Sequence, residues 1–272
     1  IRFGAQLILW GLFQKMVLAD RAALLVSTVF GSPSDYSGGI VILAMFVYTL
    51  QIYADFAGCM DIVRGSGALF GIEIARNFNQ PFFSKSIGEF WRRWHMTLGA
   101  WFKDYIFYPF SISKHMLHFG KFAKKRFGKT TGRVLPICLA NILIFFIVGV
   151  WHGAAWKYIV YGMYNGIIMS FSSIMAPVYE KMFKITHINK TARWYRGWQI
   201  IRTFILVNIS WYFDNADTLT DAFRLMGNTF KHASFSMDAV VKMFGSQLDL
   251  IILLAGCLVW LIISILKEKG IV

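Results

Sequence analysis

Two histidines occupy positions where an imidazole could do chemistry. His152 directly follows the apolar run of residues 134–151, and His95 closes the aromatic and basic stretch EFWRRWH of residues 89–95. Ionisable side chains at membrane depth are costly and usually mark a functional site. A neutral imidazole in a desolvated pocket can take a proton from a hydroxyl or thiol, or carry an acyl group briefly. Taken alone, a histidine among aromatic residues is more often a hydrogen-bonded core residue.

The elements that must position these histidines are membrane helices. The chain has 272 residues, of which 57% are hydrophobic, 17% aromatic and 15% charged. This composition predicts an all-α polytopic membrane helical bundle with short and amphipathic helices. A helix of roughly 20 residues crosses the apolar core of a bilayer, and six segments are predicted to do so: residues 5–30, 38–58, 134–151, 155–176, 198–213 and 248–266.

Charges interrupt the first predicted span at Lys15, Asp20 and Arg21. We therefore expect a packed or kinked helix whose charges face other helices, or a helix lying partly at the membrane interface. The chain does not begin with Met, and we expect one membrane-embedded domain over residues 1–272 that lacks N-terminal helices of a longer protein.

The net charge of +14 is concentrated between the predicted spans. That pattern is typical of cytoplasmic loops in membrane proteins and does not favour a nucleic-acid partner. We expect a cytoplasmic loop over residues 115–133 and a second basic stretch over residues 181–196 on the same side. Both could also attract anionic lipid or an anionic donor. A strict reading of these charges separates His152 from His95 across the membrane. We therefore expect residues 77–110 to fold back into the protein at membrane depth.

The segment between the second and third predicted spans contains its own helix signals. Pro81 disfavours helical geometry at Gln80, and Ser86 is placed to cap a helix with Glu89 three residues later. From Ile87 the large apolar residues recur at helical spacing as far as Tyr105, and His95 belongs to this aromatic face. We expect one helix that points the His95 ring into packed protein.

The same residues resemble a known family. NFNQPFFSKSIGEFWRRWHMTLGAWFKDYIFYPF (residues 77–110) and GVWHGAAWKYIVYGMYNG (residues 149–166) are similar to the membrane-bound O-acyltransferase (MBOAT) family, in particular its bacterial alginate O-acetyltransferase branch. The resemblance implies a bundle with tilted helices around a central funnel, in proteins longer than this chain. It also implies that His152 is the catalytic histidine and that His95 is the second active-site histidine, which orients the acceptor or stabilises oxyanion charge.

Further residues are weaker candidates for substrate binding: Asp104, Arg93, Trp91, Asn79 and Trp151. Asp104 could fix an imidazole tautomer or instead pair with Lys103 or Arg93. Asp55 is expected to form a structural ion pair with Arg64 or Arg76. Gly153 either leaves room for a substrate or ends one helix before the next. The three cysteines show no metal-ligand spacing, so neither a metal nor a resident cofactor is expected.

These observations and the family resemblance together predict a multi-pass enzyme of the bacterial inner membrane. We expect it to move an acyl group from a cytoplasmic thioester towards an exported polysaccharide. The resemblance to the alginate branch implies acetyl from acetyl-CoA, in preference to another acyl-CoA or carrier-bound thioester. It also implies that a separate extracytoplasmic transferase could be the acceptor, with membrane lipid as a further partner. The alternatives are D-alanyl transfer to teichoic acids, a transporter or channel with a histidine proton relay, and a structural membrane scaffold.

Overall fold

The computed structural model describes residues 1–231 and 237–271. Within these ranges the regular structure is helical, with no β-strand. In chain order the helices are α1 (Arg2–Leu12), α2 (Asp20–Gly31), α3 (Gly39–Leu69), α4 (Ile87–Arg93), α5 (Met96–Phe102), α6 (Tyr108–Ser111), α7 (Lys114–His152), α8 (Trp156–Thr186), α9 (Arg193–Asn215), α10 (Leu219–Asn228), α11 (Met237–Met243) and α12 (Gln247–Glu268). This confirms the all-α prediction.

Four of the six predicted spans correspond to helices long and apolar enough to cross a membrane, counted over the described residues. They are α3, α7, α8 and α12, and the chain is a membrane protein. The first predicted span is an unbroken helical run in which α1 and α2 are joined by the π-helical segment Phe13–Ala19. The fifth is α9, which is not among the four.

The chain divides into two compact units, Ile1–Gln80 with Trp211–Val272 and Pro81–Ser210. The prediction of a single domain is not decided by this division and stays a prediction.

In the first unit, α1 packs closely on α3. A Cβ added to Gly11 would lie 2.5 Å from the carbonyl oxygen of Gly58, so a larger residue there would separate the helices. Lys15, in the π-helical segment, forms ion pairs with Asp20 at 2.8 Å and with Asp55 at 2.7 Å. The predicted pairing of Asp55 with Arg64 or Arg76 is therefore wrong, because the nearest cation comes from the neighbouring helix.

In the second unit, the predicted basic loop of residues 115–133 is wrong. These residues belong to α7, whose helical conformation is interrupted at Gly128, with φ of 85°. A Cβ on Gly120 would lie 3.5 Å from the ring of Pro136, and the backbone of Lys124 crowds Gly132. The two arms of α7 thus fold against each other as a helical hairpin that turns at Gly128.

The second arm of α7 packs on α8 through small residues. A Cβ on Gly149 would meet the carbonyl oxygen of Tyr158 at 2.5 Å, and Gly162 lies directly against the carbonyl of Phe145. Cys138 and Ser170 add two hydrogen bonds, since each side chain donates to the backbone carbonyl oxygen of the other residue. This close approach sets the position of His152, the last residue of α7.

The local signals before α4 are confirmed. Gln80 has a positive φ of 48° directly before Pro81. The Ser86 hydroxyl accepts a hydrogen bond from the Glu89 amide at 3.2 Å, while the Glu89 carboxylate accepts one from the Lys85 amide at 2.9 Å. Both bonds satisfy amides at the start of the helix.

The prediction of one helix from Ile87 to Tyr105 is wrong. The chain leaves helical geometry at Trp94, which is extended, and at His95, which is left-handed with φ of 45° and ψ of 55°. Trp94 is buried and stacks on Phe90 with ring centroids 5.5 Å apart. Packing of this indole therefore accompanies a break in the chain that the sequence periodicity does not reveal.

Candidate active site

His152 lies where α7 ends and the chain turns towards α8. The turn depends on Gly153, whose φ of 154° is rarely adopted by residues with a side chain. A Cβ at this position would also lie 2.9 Å from the ring of Tyr158. The glycine therefore ends the helix and lets Tyr158 pack against the turn, which supports the structural interpretation of Gly153.

Aromatic rings surround the His152 imidazole on several sides. Its centroid is 4.9 Å from Trp151, 5.1 Å from Tyr161 and 5.8 Å from Tyr158. Tyr161 is 1% exposed, whereas His152 remains half-buried and Trp151 is exposed. The histidine is thus held against a packed wall on one side while part of its surface stays accessible.

His95 joins the same cluster from the break between α4 and α5. Its ring lies 6.0 Å from Trp151, and it is half-buried. Burial lowers the pKa of His95 below its ordinary value, and the charge of the nearby His152 lowers it further. The structure therefore brings together the two histidines that the sequence singles out, since both imidazoles contact the Trp151 indole.

The left-handed backbone of His95 is a second sign that this position is unusual. A residue that has a Cβ rarely adopts this conformation, because it is sterically strained. Residues held in strained conformations of this kind cluster at functional sites. Here the conformation places the imidazole at the junction of two short helices, Ile87–Arg93 and Met96–Phe102, rather than on the face of a continuous helix.

Trp91 anchors the short helix α4 against the wall behind His152. Its indole Nε1 donates a hydrogen bond to Oδ1 of Asn165 at 3.3 Å, and Asn165 Nδ2 donates to the carbonyl oxygen of Tyr161 at 2.9 Å. Trp91 also makes ring contacts with Phe145 and Tyr161, at 5.3 and 6.4 Å between centroids. A buried polar network therefore links the segment that carries His95 to the helix that supports His152.

The remaining predicted site residues have different surroundings. Trp151 contacts both histidines and Trp91 lies one layer behind them, whereas Arg93 forms an ion pair with Glu89 at 2.9 Å. Asp104 is exposed in the π-helical segment Lys103–Phe107, and Asn79 is exposed in the first unit. The substrate-binding roles of all five residues stay predictions.

Three residues of this site were not singled out by the sequence: Tyr158, Tyr161 and Asn165. They follow one another at spacings of three and four residues in α8, which places them on one face of the helix. Asn165 is fully buried in a helix that is apolar enough to cross a membrane, and a polar residue at such a place is itself a sign of a specific role. That spacing was the signal available in the sequence.

Among the described residues there is no group of three or more histidine, cysteine or acidic side chains that could hold a metal ion. The expected absence of a metal and of a resident cofactor stays a prediction.

Comparison with known proteins finds similarity to one family. Residues 8–124 match the model of the membrane-bound O-acyltransferase family, and a probable alginate O-acetylase of Azotobacter vinelandii is 29% identical over 94% of this chain. The chain is therefore similar to membrane-bound O-acyltransferases. As 256 of the 272 residues align with the alginate relative, the similarity covers both histidine segments.

Two other relatives of this chain have different functions. A peptidoglycan O-acetyltransferase of Helicobacter pylori is 31% identical over 79% of the chain and 36% of its own length. A teichoic acid D-alanyltransferase of Bacillus subtilis is 34% identical over 63% of the chain and 40% of its own length. The alginate relative is covered over 46% of its length, so the chain spans less than half the length of each of these relatives.

Proposed function

We propose that the protein transfers an acyl group from a cytoplasmic thioester donor towards an exported cell-surface polysaccharide. The observation that carries the proposal is the position of His152 and His95, which both lie beside Trp151 in one half-buried aromatic cluster. Similarity to the membrane-bound O-acyltransferase family supports it. The named activities of the relatives, two of them O-acetylation, favour acetyl as the acyl group.

In this proposal His152 is the general base. Its neutral imidazole takes the proton of the acceptor hydroxyl while the hydroxyl oxygen attacks the carbonyl carbon of the thioester. The carbon–sulfur bond then breaks, and the departing sulfur takes the proton back from the imidazolium. A covalent variant, in which His152 itself carries the acyl group between donor and acceptor, uses the same atoms.

His95 has the supporting role in the same step. A lowered pKa keeps its imidazole neutral near neutral pH, and the N–H of a neutral imidazole can donate a hydrogen bond to the thioester carbonyl oxygen. That bond strengthens as negative charge develops on the oxygen. Trp151, which contacts both rings, limits the space in which donor and acceptor meet.

We infer that acetyl-CoA is the donor and that the protein works in the inner membrane of a bacterial cell. The acceptor is either the polysaccharide itself or a separate extracytoplasmic transferase that passes the group on. The similarity to a teichoic acid D-alanyltransferase favours one second candidate, transfer of D-alanine from a carrier-bound thioester.

Transfer assays in proteoliposomes test the proposal. The protein is offered radiolabelled acetyl-CoA or a D-alanyl carrier thioester, and label on the protein or on an added polysaccharide is measured alongside release of free thiol. We expect transfer from acetyl-CoA that is lost in His152→Ala. Transfer from the D-alanyl carrier alone would select the second candidate.

The matched control is His118→Ala. His118 lies on the first arm of α7 and is exposed, so its removal tests the same substitution away from the cluster. Solute flux without any acyl product, unaffected by His152→Ala, would contradict acyl transfer and favour a transporter.

A further inference from the structure

The first unit contains a charged cavity whose lining includes no residue of the histidine cluster. It has a volume of about 270 Å³ and is lined by residues of α1, α3, α12 and the segment that follows α3. Three cationic side chains, Arg64, Arg76 and Lys267, and the carboxylate of Asp61 line it together with aromatic rings. The lining is therefore both positively charged and aromatic.

The single carboxylate of this lining is already engaged by protein groups. Oδ1 of Asp61 pairs with Arg64 at 3.2 Å, and Oδ2 accepts a hydrogen bond from the buried Gln14 at 3.1 Å. Within the residues that the structure describes, neither Arg76 nor Lys267 forms an ion pair with an acidic side chain. Two positive charges in the cavity are thus left without a carboxylate of their own.

These two charges also act on each other. Arg76 and Arg64 repel the ammonium group of Lys267, while Asp61 attracts it. Lys267 gains a cation–π contact with Trp10, 5.3 Å from the ring centroid, but this neutralises no charge. An anion bound in the cavity would relieve the repulsion among these cations. Guanidinium and ammonium groups both bind phosphate oxygens.

The helices that enclose the cavity expose apolar side chains elsewhere. Leu258, Leu261 and Ile262 of α12 are exposed, as is Leu9 of α1, and α12 is apolar enough to cross a membrane. Lys267 lies in the last turn of α12. The cationic groups thus lie near the end of a membrane helix, which is the depth at which lipid headgroups are found.

We propose that this cavity binds the phosphate group of an anionic membrane amphiphile, with Arg76 and Lys267 as its ligands. The aromatic rings of Trp10, Tyr53 and Trp260 form the sides of the cavity and contact the part of the ligand next to the phosphate. A phosphate of the thioester donor has the same chemistry, so the two sources are compared directly.

Native mass spectrometry and thermal unfolding in a neutral detergent test this assignment. The probes are short-chain phosphatidylglycerol, short-chain phosphatidylcholine and coenzyme A. We expect phosphatidylglycerol to bind wild type and raise its unfolding temperature, and the Arg76→Gln/Lys267→Gln variant to bind it about tenfold or more weakly. Lys181→Gln/Arg193→Gln is the matched control, since it removes the same charge from exposed positions in the other unit.

Two further results complete the test. If coenzyme A binds and its binding also depends on Arg76 and Lys267, the cavity is a phosphate site, and the phosphate is that of the thioester donor. The proposal is overturned if neither anion binds, or if binding is equal in both charge variants. Arg76→Gln alone serves as the folding check, because removing an uncompensated positive charge should leave the ligand-free unfolding temperature unchanged or higher.

Discussion

The indole of Trp91 donates a hydrogen bond to the side chain of Asn165, with 3.3 Å between Nε1 and Oδ1. This bond connects the short helix that precedes His95 to the helix that supports His152. Since Asn165 is fully buried and donates in turn to the Tyr161 carbonyl, the two histidine segments are held by one network rather than by independent contacts.

Breaking this network should cost stability and activity together. Asn165→Leu leaves Nε1 of the half-buried Trp91 without its acceptor, and we expect a loss of about 1–3 kcal/mol in unfolding free energy. Trp91→Phe removes the donor while keeping a ring in place, so it should cost less. Thermal unfolding and acyl transfer are measured on both variants, and equal stability of Asn165→Leu and wild type would contradict the role of the network.

The left-handed conformation of His95 predicts that glycine is more stable than alanine at this position, which is the reverse of the order inside a helix. Compared with His95→Ala, His95→Gly should be more stable by about 1 kcal/mol, because glycine adopts positive φ without steric cost. Both variants should lose transfer activity. In the neighbouring helix α5 the order reverses, and Ala100→Gly should lower stability by about 0.5–1 kcal/mol. Thermal unfolding measures these differences. If His95→Gly were less stable than His95→Ala, backbone strain at this position would be absent.

The lowered pKa of His95 predicts a loss of stability in acid. The unfolded chain, with a pKa near the ordinary 6.5, takes up the proton more readily than the folded protein does. The stability contributed by neutral His95 is therefore present above that value and is lost as the pH falls through the lower pKa of the folded state.

The measurement is the unfolding temperature between about pH 7.5 and pH 5.5, a range that brackets ordinary histidine titration. On acidification the unfolding temperature of wild type should fall further than that of His95→Gln. The variant His118→Gln, at an exposed position, should show the same fall as wild type. A His95→Gln curve that parallels wild type would mean that this imidazole does not titrate differently on folding.

Gly153 should tolerate no side chain. In Gly153→Ala the new methyl group meets the Tyr158 ring at 2.9 Å and the residue must keep a φ of 154°. We expect a loss of about 1–3 kcal/mol and weaker transfer, since His152 and Tyr158 must shift. Gly197→Ala, in α9 with open space around it, should be neutral or stabilising. Thermal unfolding compares the stability of Gly153→Ala and Gly197→Ala. Equal stability of the two variants would contradict this prediction.

The parts of the fold that were predicted correctly depend on local sequence. The length of the apolar segments predicted the four helices that are long enough to cross a membrane. Pro81, Ser86 and Glu89 predicted the start of α4, because these signals act within a few residues. The meeting of His95 with His152 was expected from the resemblance of their two motifs to a known family.

The errors concern contacts between distant segments. The aromatic spacing continues unchanged across Trp94 and His95, so the break there follows from packing rather than from local preference. The basic residues before Arg133 indicate a charged surface equally well in a loop or a helical hairpin. Asp55 pairs with Lys15 rather than with Arg64 or Arg76, since the choice among cations depends on which helix packs beside α3.

The central claim is that His95 and His152 act in one site, and a double-mutant cycle on the rate of acyl transfer tests it most directly. Rates under single turnover are measured for wild type, His95→Gln, His152→Gln and the double variant. Residues that act as a unit give losses far from additive, so the double variant should lie within about threefold of His152→Gln. A double variant slower by the product of the two single losses would show that the histidines act independently and would contradict the account.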